Sequence, residues 1–250
     1  MKASTKTVIF MVIITVIFIF ALATINEITK QRIAQNMIIE QSKSILYAFN
    51  IFPENFNRAD MALTSTTSNI PWRKDDVLQQ MDSHLELRAV PVNDEQRRLI
   101  TASYLAIKDS ATIYVRKSDT GSLLSFGFHM KGKGLWGTID AFGVISADLK
   151  TMVGIDFIEQ VETPGLGARI IEEEYKYFFR NLDLSRFHQG EAGIDPIIIV
   201  KQKDATNVEV STNSLQAITG ATQTVDGVLK MVNTDLKFYI DVIKSNYDRF

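Results

Sequence analysis

Apolar and polar positions divide the chain into three stretches with different periods. Residues 8–25 (VIFMVIITVIFIFALATI) form an unbroken run of eighteen without a charge, and Thr15 and Thr24 are its only polar side chains. As a helix this run reaches about 27 Å, close to the hydrocarbon thickness of a bilayer. Residues 26–50 contain no Pro or Gly, and Ile28, Ile33, Met37, Ile38, Ile45, Leu46 and Phe49 recur at roughly helical spacing. That spacing predicts a helix continuing outward from the apolar run and stopping at Pro53. Residues 54–75 read as irregular, with short helices expected over 76–81 and 95–108.

From residue 111 the period shortens to that of strands. Strands are expected over 111–117, 123–130, 136–146 and 152–159, with turns at Asp119-Thr120-Gly121 and at 147–150. The loop VETPGLG (161–167) follows, then a helix over 168–182 and strands over 196–202 and 207–211. Residues 222–246 make a clear amphipathic helix, with Val225, Val228, Leu229, Val232, Leu236, Tyr239, Ile240 and Ile243 on one face. The expected fold is α+β: a mostly antiparallel sheet with packed helices, preceded by one N-terminal transmembrane helix. The division expected is a cytoplasmic tail (1–7), a membrane anchor (8–25), an extending helix (26–50), a mixed helical and irregular region (51–110) and a ligand-binding domain (111–250).

Charge refines the picture at the N-terminus. Lys2 and Lys6 precede the apolar run with no acid among them, which favours a cytoplasmic tail and an exported remainder. A cleaved signal peptide is the competing reading, because Ala21-Leu22-Ala23 has the A-x-A form, although the run is longer than such peptides usually carry. A buried core helix is the third. Over the whole chain 27 basic and 29 acidic residues leave a net charge of −2, without the basic surplus of a nucleic-acid binder. With no cysteine, disulfides, thiolate metal sites and thiol nucleophiles are excluded. His84, His129 and His188 are far apart in sequence, so no metal site is expected. Glu172, Glu173 and Glu174 read as an exposed helix face rather than a metal site. No G-x-S-x-G occurs, and no G-x-G-x-x-G for a dinucleotide.

Candidate chemistry sits in two segments. Ile218-Thr219-Gly220-Ala221-Thr222-Gln223-Thr224 stands immediately before and within the start of the last helix. Three hydroxyls and a glycine at a helix N-terminus suit an anion, since free N–H groups point outward there. Ordinary N-capping is the alternative. In VETPGLG, Gly165 and Gly167 allow tight turns that could clasp a flat ligand; a plain strand-to-helix loop is the alternative.

Together and in this order, 59 positions apart from Thr163 to Thr222, the two segments resemble the FMN-binding domain family of membrane redox complexes. Its members include the C subunit of the sodium-translocating NADH:quinone reductase and the G subunit of the related Rnf complex. Gly134-Leu135-Trp136 is similar to the GLW segment of the sodium-pump branch, and the single N-terminal span also fits. The resemblance implies FMN held by a phosphoester to Thr222, attached from FAD by a flavin transferase that uses Mg²⁺. It implies ring or phosphate contacts from Glu162, Thr163, Pro164, Gly165, Leu166, Gly167, Thr219, Gly220, Ala221, Thr224, Leu135 and Trp136. Where the family often carries Asp three residues before the first hydroxyl of the motif, this chain has Gln216. No catalytic acid or base is implied. The expected role is an electron relay between other subunits of a redox complex in the bacterial inner membrane, with the C-terminal domain on the periplasmic or outer face. NADH would bind elsewhere in the complex, and one span cannot by itself form an ion path. The Rnf protein, a flavinylated protein of extracellular electron transfer and an anchored binding module without flavin stand as alternatives.

Overall fold

The computed structural model describes residues 2–54, 56–100, 103–188, 197–200 and 214–250. It divides into two compact units, Met1–Glu40 and Gln41–Phe250. The first is a single helix, the larger part of α1 (Lys2–Ala48). Over residues 8–25 its side chains are exposed all round, and the helix is long and apolar enough to cross a membrane. Thr15 and Thr24 turn their hydroxyls back to the carbonyls four residues earlier. Even the two polar residues of the run therefore keep their hydroxyl donors bonded within the helix.

The second unit takes up the last turns of α1 and continues through α2 (Lys74–His84), β1 (Leu85–Pro91), α3 (Asp94–Ile100), β2 (Ser110–Lys117), β3 (Leu123–Lys133), β4 (Thr138–Ser146) and β5 (Thr151–Glu159). After the loop come α4 (Glu173–Tyr177), β6 (Leu182–Asp183), β7 (Ile198–Val200), β8 (Ser214–Gln216) and α5 (Thr222–Ser245). Strands β1 to β6 form one antiparallel sheet in sequence order, a meander, and β7 pairs in parallel with β8. The antiparallel sheet and packed helices agree with the sequence expectation.

Alternation along β3 explains the two layers. Phe126, Phe128 and Met130 point to one face, where Phe128 stacks on Tyr239 of α5 with ring centroids 4.1 Å apart. Val225, Val228, Val232, Leu236, Tyr239, Ile240 and Ile243 of α5 are all buried there, as their helical period requires. The opposite face receives the end of α1. A side chain at Gly154 would come within 2.6 Å of the Ala48 carbonyl oxygen, so the bare glycine lets the helix backbone lie on β5. Arg116 fastens that end by donating to the Phe49 carbonyl at 2.8 Å.

A buried polar knot joins the same end to α4. Lys176 and Asp156 are 1% and 2% exposed and pair at 3.0 Å, with Thr67 bonded to both. The ammonium also lies 3.9 Å from the centroid of the Tyr47 ring. Desolvation lowers the Lys176 pKa, and the Asp156 carboxylate opposes that shift. Tyr47 donates to Glu173, whose other oxygen accepts from Arg180.

Four sequence readings change here. The helix expected over 168–182 is instead a 3-10 turn (Gly167–Ile171), the five-residue α4 and the short β6. The amides of Glu173 and Glu174 bond the Ser65 and Leu63 carbonyls at 2.8 Å, so tertiary partners take the groups a longer helix would use. Glu173 is therefore no part of an exposed acidic face but is buried at 5% exposure. The stretch read as mixed helical and irregular holds β1, paired along its length with β2. The helix expected over 95–108 is confined to α3. The strand expected at 207–211 lies outside the described residues.

Asp235, on the buried face of α5, is 0% exposed and accepts from the Lys131 amide at 2.9 Å. Burial pushes its pKa up to about 6, against the hydrogen bonds from Ser103 and Lys131. A carboxyl with a raised folded pKa holds its proton more tightly when folded. Its stabilising effect is thus complete at low pH and is lost as pH rises from about 4 to about 6. The loss is on the order of 3 kcal/mol. Asp235→Asn should gain stability relative to the unmodified chain across that window and keep the gain at pH 7. Urea unfolding of the full chain in detergent, run between pH 4 and 7, measures it; a constant difference across the window contradicts it.

Candidate functional site

Helix α5 begins at Thr222, behind Ala221 in the N-cap position. Gly220 has φ +79°, a left-handed conformation that a side chain would strain. The turn closes with the Ala221 amide on the Ile218 carbonyl at 3.0 Å. Ile218 and Ala221 are buried and anchor the turn, while Thr219 and Thr222 are exposed. The first-turn amides of any α-helix lack intrahelical acceptors. Thr222 thus offers an accessible hydroxyl at the positive end of a 24-residue helix.

Thr224 behaves differently. It is 1% exposed, and its Oγ1 donates to Glu162 Oε2 at 2.5 Å. Glu162 itself is 5% exposed. Its Oε1 accepts from the Trp136 amide at 3.0 Å. Burial alone would raise the Glu162 pKa. Hydrogen bonds from Thr224 and from the Trp136, Leu135 and Gly137 amides outweigh that and hold it below the usual carboxylate range. The group is therefore an anion at neutral pH.

One carboxylate thereby joins three separate pieces of chain. The first is the β3–β4 turn, closed by the Gly134 amide on the Gly137 carbonyl at 2.8 Å. The second is the loop itself, in which the Leu166 and Ala168 amides both bond the Thr163 carbonyl at 3.1 Å. The third is α5. Close packing makes this possible: a side chain at Gly167 would stand 2.5 Å from Thr224 Oγ1. One at Gly227 would strike the Lys133 carbonyl oxygen, so the helix rests directly on the arm of the hairpin. Leu166 reaches across to Gly220, with Cδ2 3.1 Å from where a side chain would begin.

Apolar side chains are exposed on the hairpin turn and the loop. Trp136 is 68% exposed, its indole N–H held by Thr163 Oγ1 at 3.0 Å. Leu135, Val161 and Leu166 are exposed beside it. Two hollows flank the motif. A cavity of about 50 Å³ lies by Thr219, Arg169 and Tyr175, and a cleft of about 220 Å³ by Gly134, Gly227, Lys133 and Lys230. Arg169 is engaged with Glu172 and Glu174.

The structure thus brings all the sequence candidates into one neighbourhood but gives them different duties. Thr222, Thr219, Leu135, Trp136 and Leu166 face outward. Glu162 and Thr224 face inward and bond each other. Gly165, at φ +74°, and Pro164 shape the loop. Gln216 lies in β8. The sequence reading missed Gly227, whose single signal was a glycine inside a strongly helical pattern. Gly227→Val should cost about 1–3 kcal/mol by overpacking and loosen the hairpin from the helix. A lower midpoint in urea, with raised amide exchange at 134–137, is the expected result.

Comparison with known proteins agrees with this geometry. Residues 134–237 match the FMN-binding domain family, a stretch that contains the hairpin turn, the loop and the threonine motif. The chain is 30% identical over 130 residues to the C subunit of the Na(+)-translocating NADH-quinone reductase of Pasteurella multocida, covering 52% of this chain and 45% of that one. The corresponding protein of Pseudomonas aeruginosa is 29% identical over 139 residues, covering 56% and 49%. The matching stretch thus spans about half the length of these curated relatives. The crystal structure of the same reductase component from Parabacteroides distasonis superposes with a TM-score of 0.59 at 20% identity, over 86% of this chain and 96% of that one. That of Shewanella oneidensis NqrC gives 0.56 at 16% identity, over 81% and 96%. The resemblance noted in the sequence is borne out, and the fold is shared.

Proposed function

We propose that this chain, whose residues 134–237 match the FMN-binding domain family, carries FMN esterified to Thr222. In this reading it serves as an electron-carrying subunit of a sodium-translocating NADH:quinone reductase. The observation that carries the reading is the split between two neighbouring hydroxyls. Thr222 is exposed at the start of α5, while Thr224 is buried and committed to Glu162.

The residues present suit the group. In its attachment, Thr222 Oγ attacks the flavin-side phosphorus of FAD, the phosphoanhydride breaks, AMP leaves and the hydroxyl proton passes to the transferase. First-turn amides of α5 and the helix dipole offset the charge of a phosphate held there. Leu135, Trp136, Val161 and Leu166 offer an apolar surface for a flat ring. The bound group would supply reversible electron transfer; the chain supplies attachment, orientation and the surrounding field. Glu162, anionic and shielded from water, contributes a fixed negative charge to that field.

Residues 8–25 anchor the chain, and Lys2 and Lys6 keep the tail on the cytoplasmic side. The remaining domain then lies on the outer face, where a lost cofactor has no cytoplasmic pool to replace it. An ester bond removes dissociation as a failure. Electrons would arrive from one partner in the complex and leave to another, and a flavin transferase is needed for maturation.

Thr222→Ala tests this directly. The full chain co-expressed with a flavin transferase should fluoresce under ultraviolet light after SDS denaturation, and the variant should lose all of that signal. The tryptic peptide running from Asp204 to Lys230 should carry one added FMN phosphoryl group. A colourless wild-type chain of unmodified mass rejects the reading, and fluorescence persisting in the variant moves the attachment elsewhere. Sodium-dependent NADH oxidation in native membranes, lost when the chain is deleted, tests membership of the pump.

A further inference from the structure

We propose that Glu162 is a positioning residue that presents Thr222 for modification, by holding the first turn of α5 in the one rotation that buries Thr224 and exposes its neighbour. The inference rests on the covalent-flavin reading above and adds to it the residue that selects the hydroxyl.

Geometry makes the selection mutual. Successive residues of an α-helix are rotated by about 100°, so Thr222 and Thr224 lie about 200° apart, on opposite sides of the axis. Whatever pulls one inward turns the other out. The pull is a charged hydrogen bond of 2.5 Å from Thr224 Oγ1 to Glu162 Oε2, of the stronger class because its acceptor is ionised. A first helical turn is otherwise the part most prone to fray. Here it is tied through Glu162 to the β3–β4 turn, whose Trp136 amide bonds the other carboxylate oxygen at 3.0 Å.

Two bare glycines make room for the Glu162 carboxylate. Gly134 and Gly167 stand where side chains would collide with the carboxylate or with Thr224. The carboxylate needs both oxygens as acceptors, one for the hydroxyl and one for the amide. Glutamine supplies one acceptor and one donor, so it satisfies only part of the arrangement. Thr224 contributes through its hydroxyl: serine retains the bond, and isosteric valine does not.

Labelling kinetics of the full chain in detergent test the inference, with FAD, Mg²⁺ and a flavin transferase, scored by covalent fluorescence and by peptide mapping. Glu162→Ala and Thr224→Val should each slow labelling of Thr222 by about tenfold or more, as expected for loss of a charged hydrogen bond. Thr224→Ser should stay within about twofold of the unmodified chain. The double variant Glu162→Ala/Thr224→Val should be no slower than the slower single one, because both remove the same bond. Amide exchange gives a reading that does not depend on labelling. In Glu162→Ala, exchange at 225–227, the first amides bonded within the helix, should quicken while 228–243 remains protected. Labelling at the unmodified rate in Glu162→Ala or Thr224→Val overturns the proposal. So does Thr224→Ser as slow as Thr224→Val, or unchanged exchange at 225–227. An unlabelled wild-type chain overturns the covalent-flavin reading instead, and the exchange data then judge the clamp separately.

Discussion

A carboxylate removed from water is costly unless donors replace the water it loses. Glu162 meets that condition through chain segments distant from one another in sequence, and so it sets where they lie. Its oxygens take the Thr224 hydroxyl and the Trp136 amide, and the backbone from Leu135 to Gly137 faces it. If any of these pieces were displaced, a buried anion would be left short of donors. The site is therefore cooperative: the hairpin turn, the loop and the helix start are in place together or not at all. The missing side chains of Gly167 and Gly227 serve the same end, since each removes an atom that would hold two of the pieces apart.

The rest of the domain supplies a rigid frame for that junction. Strands β3 and β4 carry the hairpin, and α5 lies along β3 with its apolar stripe fully used. On the far face of the sheet, the end of α1 is secured by Arg116 and by the Lys176–Asp156–Thr67 knot. A buried ion pair is weak evidence for net stability, because desolvation offsets much of its attraction. Its geometry is nonetheless demanding. Lys176 must meet a carboxylate, a hydroxyl and a ring face at once, which fixes α4 against the sheet just beyond the loop that carries Glu162.

Much of this was legible in the residues, for physical reasons. Strand β2 alternates, β3 to β5 are runs of strand length buried on both faces, turn-forming residues separate them, and α5 repeats its apolar positions over six turns. Local rules suffice for such elements. They fail where a polar side chain turns inward to a distant partner. Glu173 and Lys176 sit in a stretch of helical composition, yet both are buried by contacts with Tyr47 and Asp156, which no local pattern reveals. The edge strand β1 (LELRAVP) alternates, but its leucines lie on the more exposed side, with Leu87 exposed and Val90 buried, so the apolar pattern does not mark the packed face. At the site, the motif residues could be found by their type and order. Their division into outward Thr222 and inward Thr224 could not, because it depends on a carboxylate sixty-two positions away.

That division also bears on why the ester proposed for Thr222 would suit this fold. Sites that retain small molecules by contact alone are usually concave and bury most of the ligand, with volumes of several hundred Å³. The hollows beside the motif are about 50 and 220 Å³, and the apolar side chains of the hairpin turn and the loop lie largely on the surface. Contact with such a rim cannot offset the lost freedom of a bound cofactor by much. Deepening the site would improve retention but bury the redox group away from partners that must approach it. In the proposed reading, fastening the group to an exposed hydroxyl would separate the two demands: the bond would provide retention, and the shallow rim would leave an edge open for electron exchange. The fold then needs only to keep one hydroxyl outward and fixed, and a neighbouring hydroxyl anchored to a buried anion does that with very few residues.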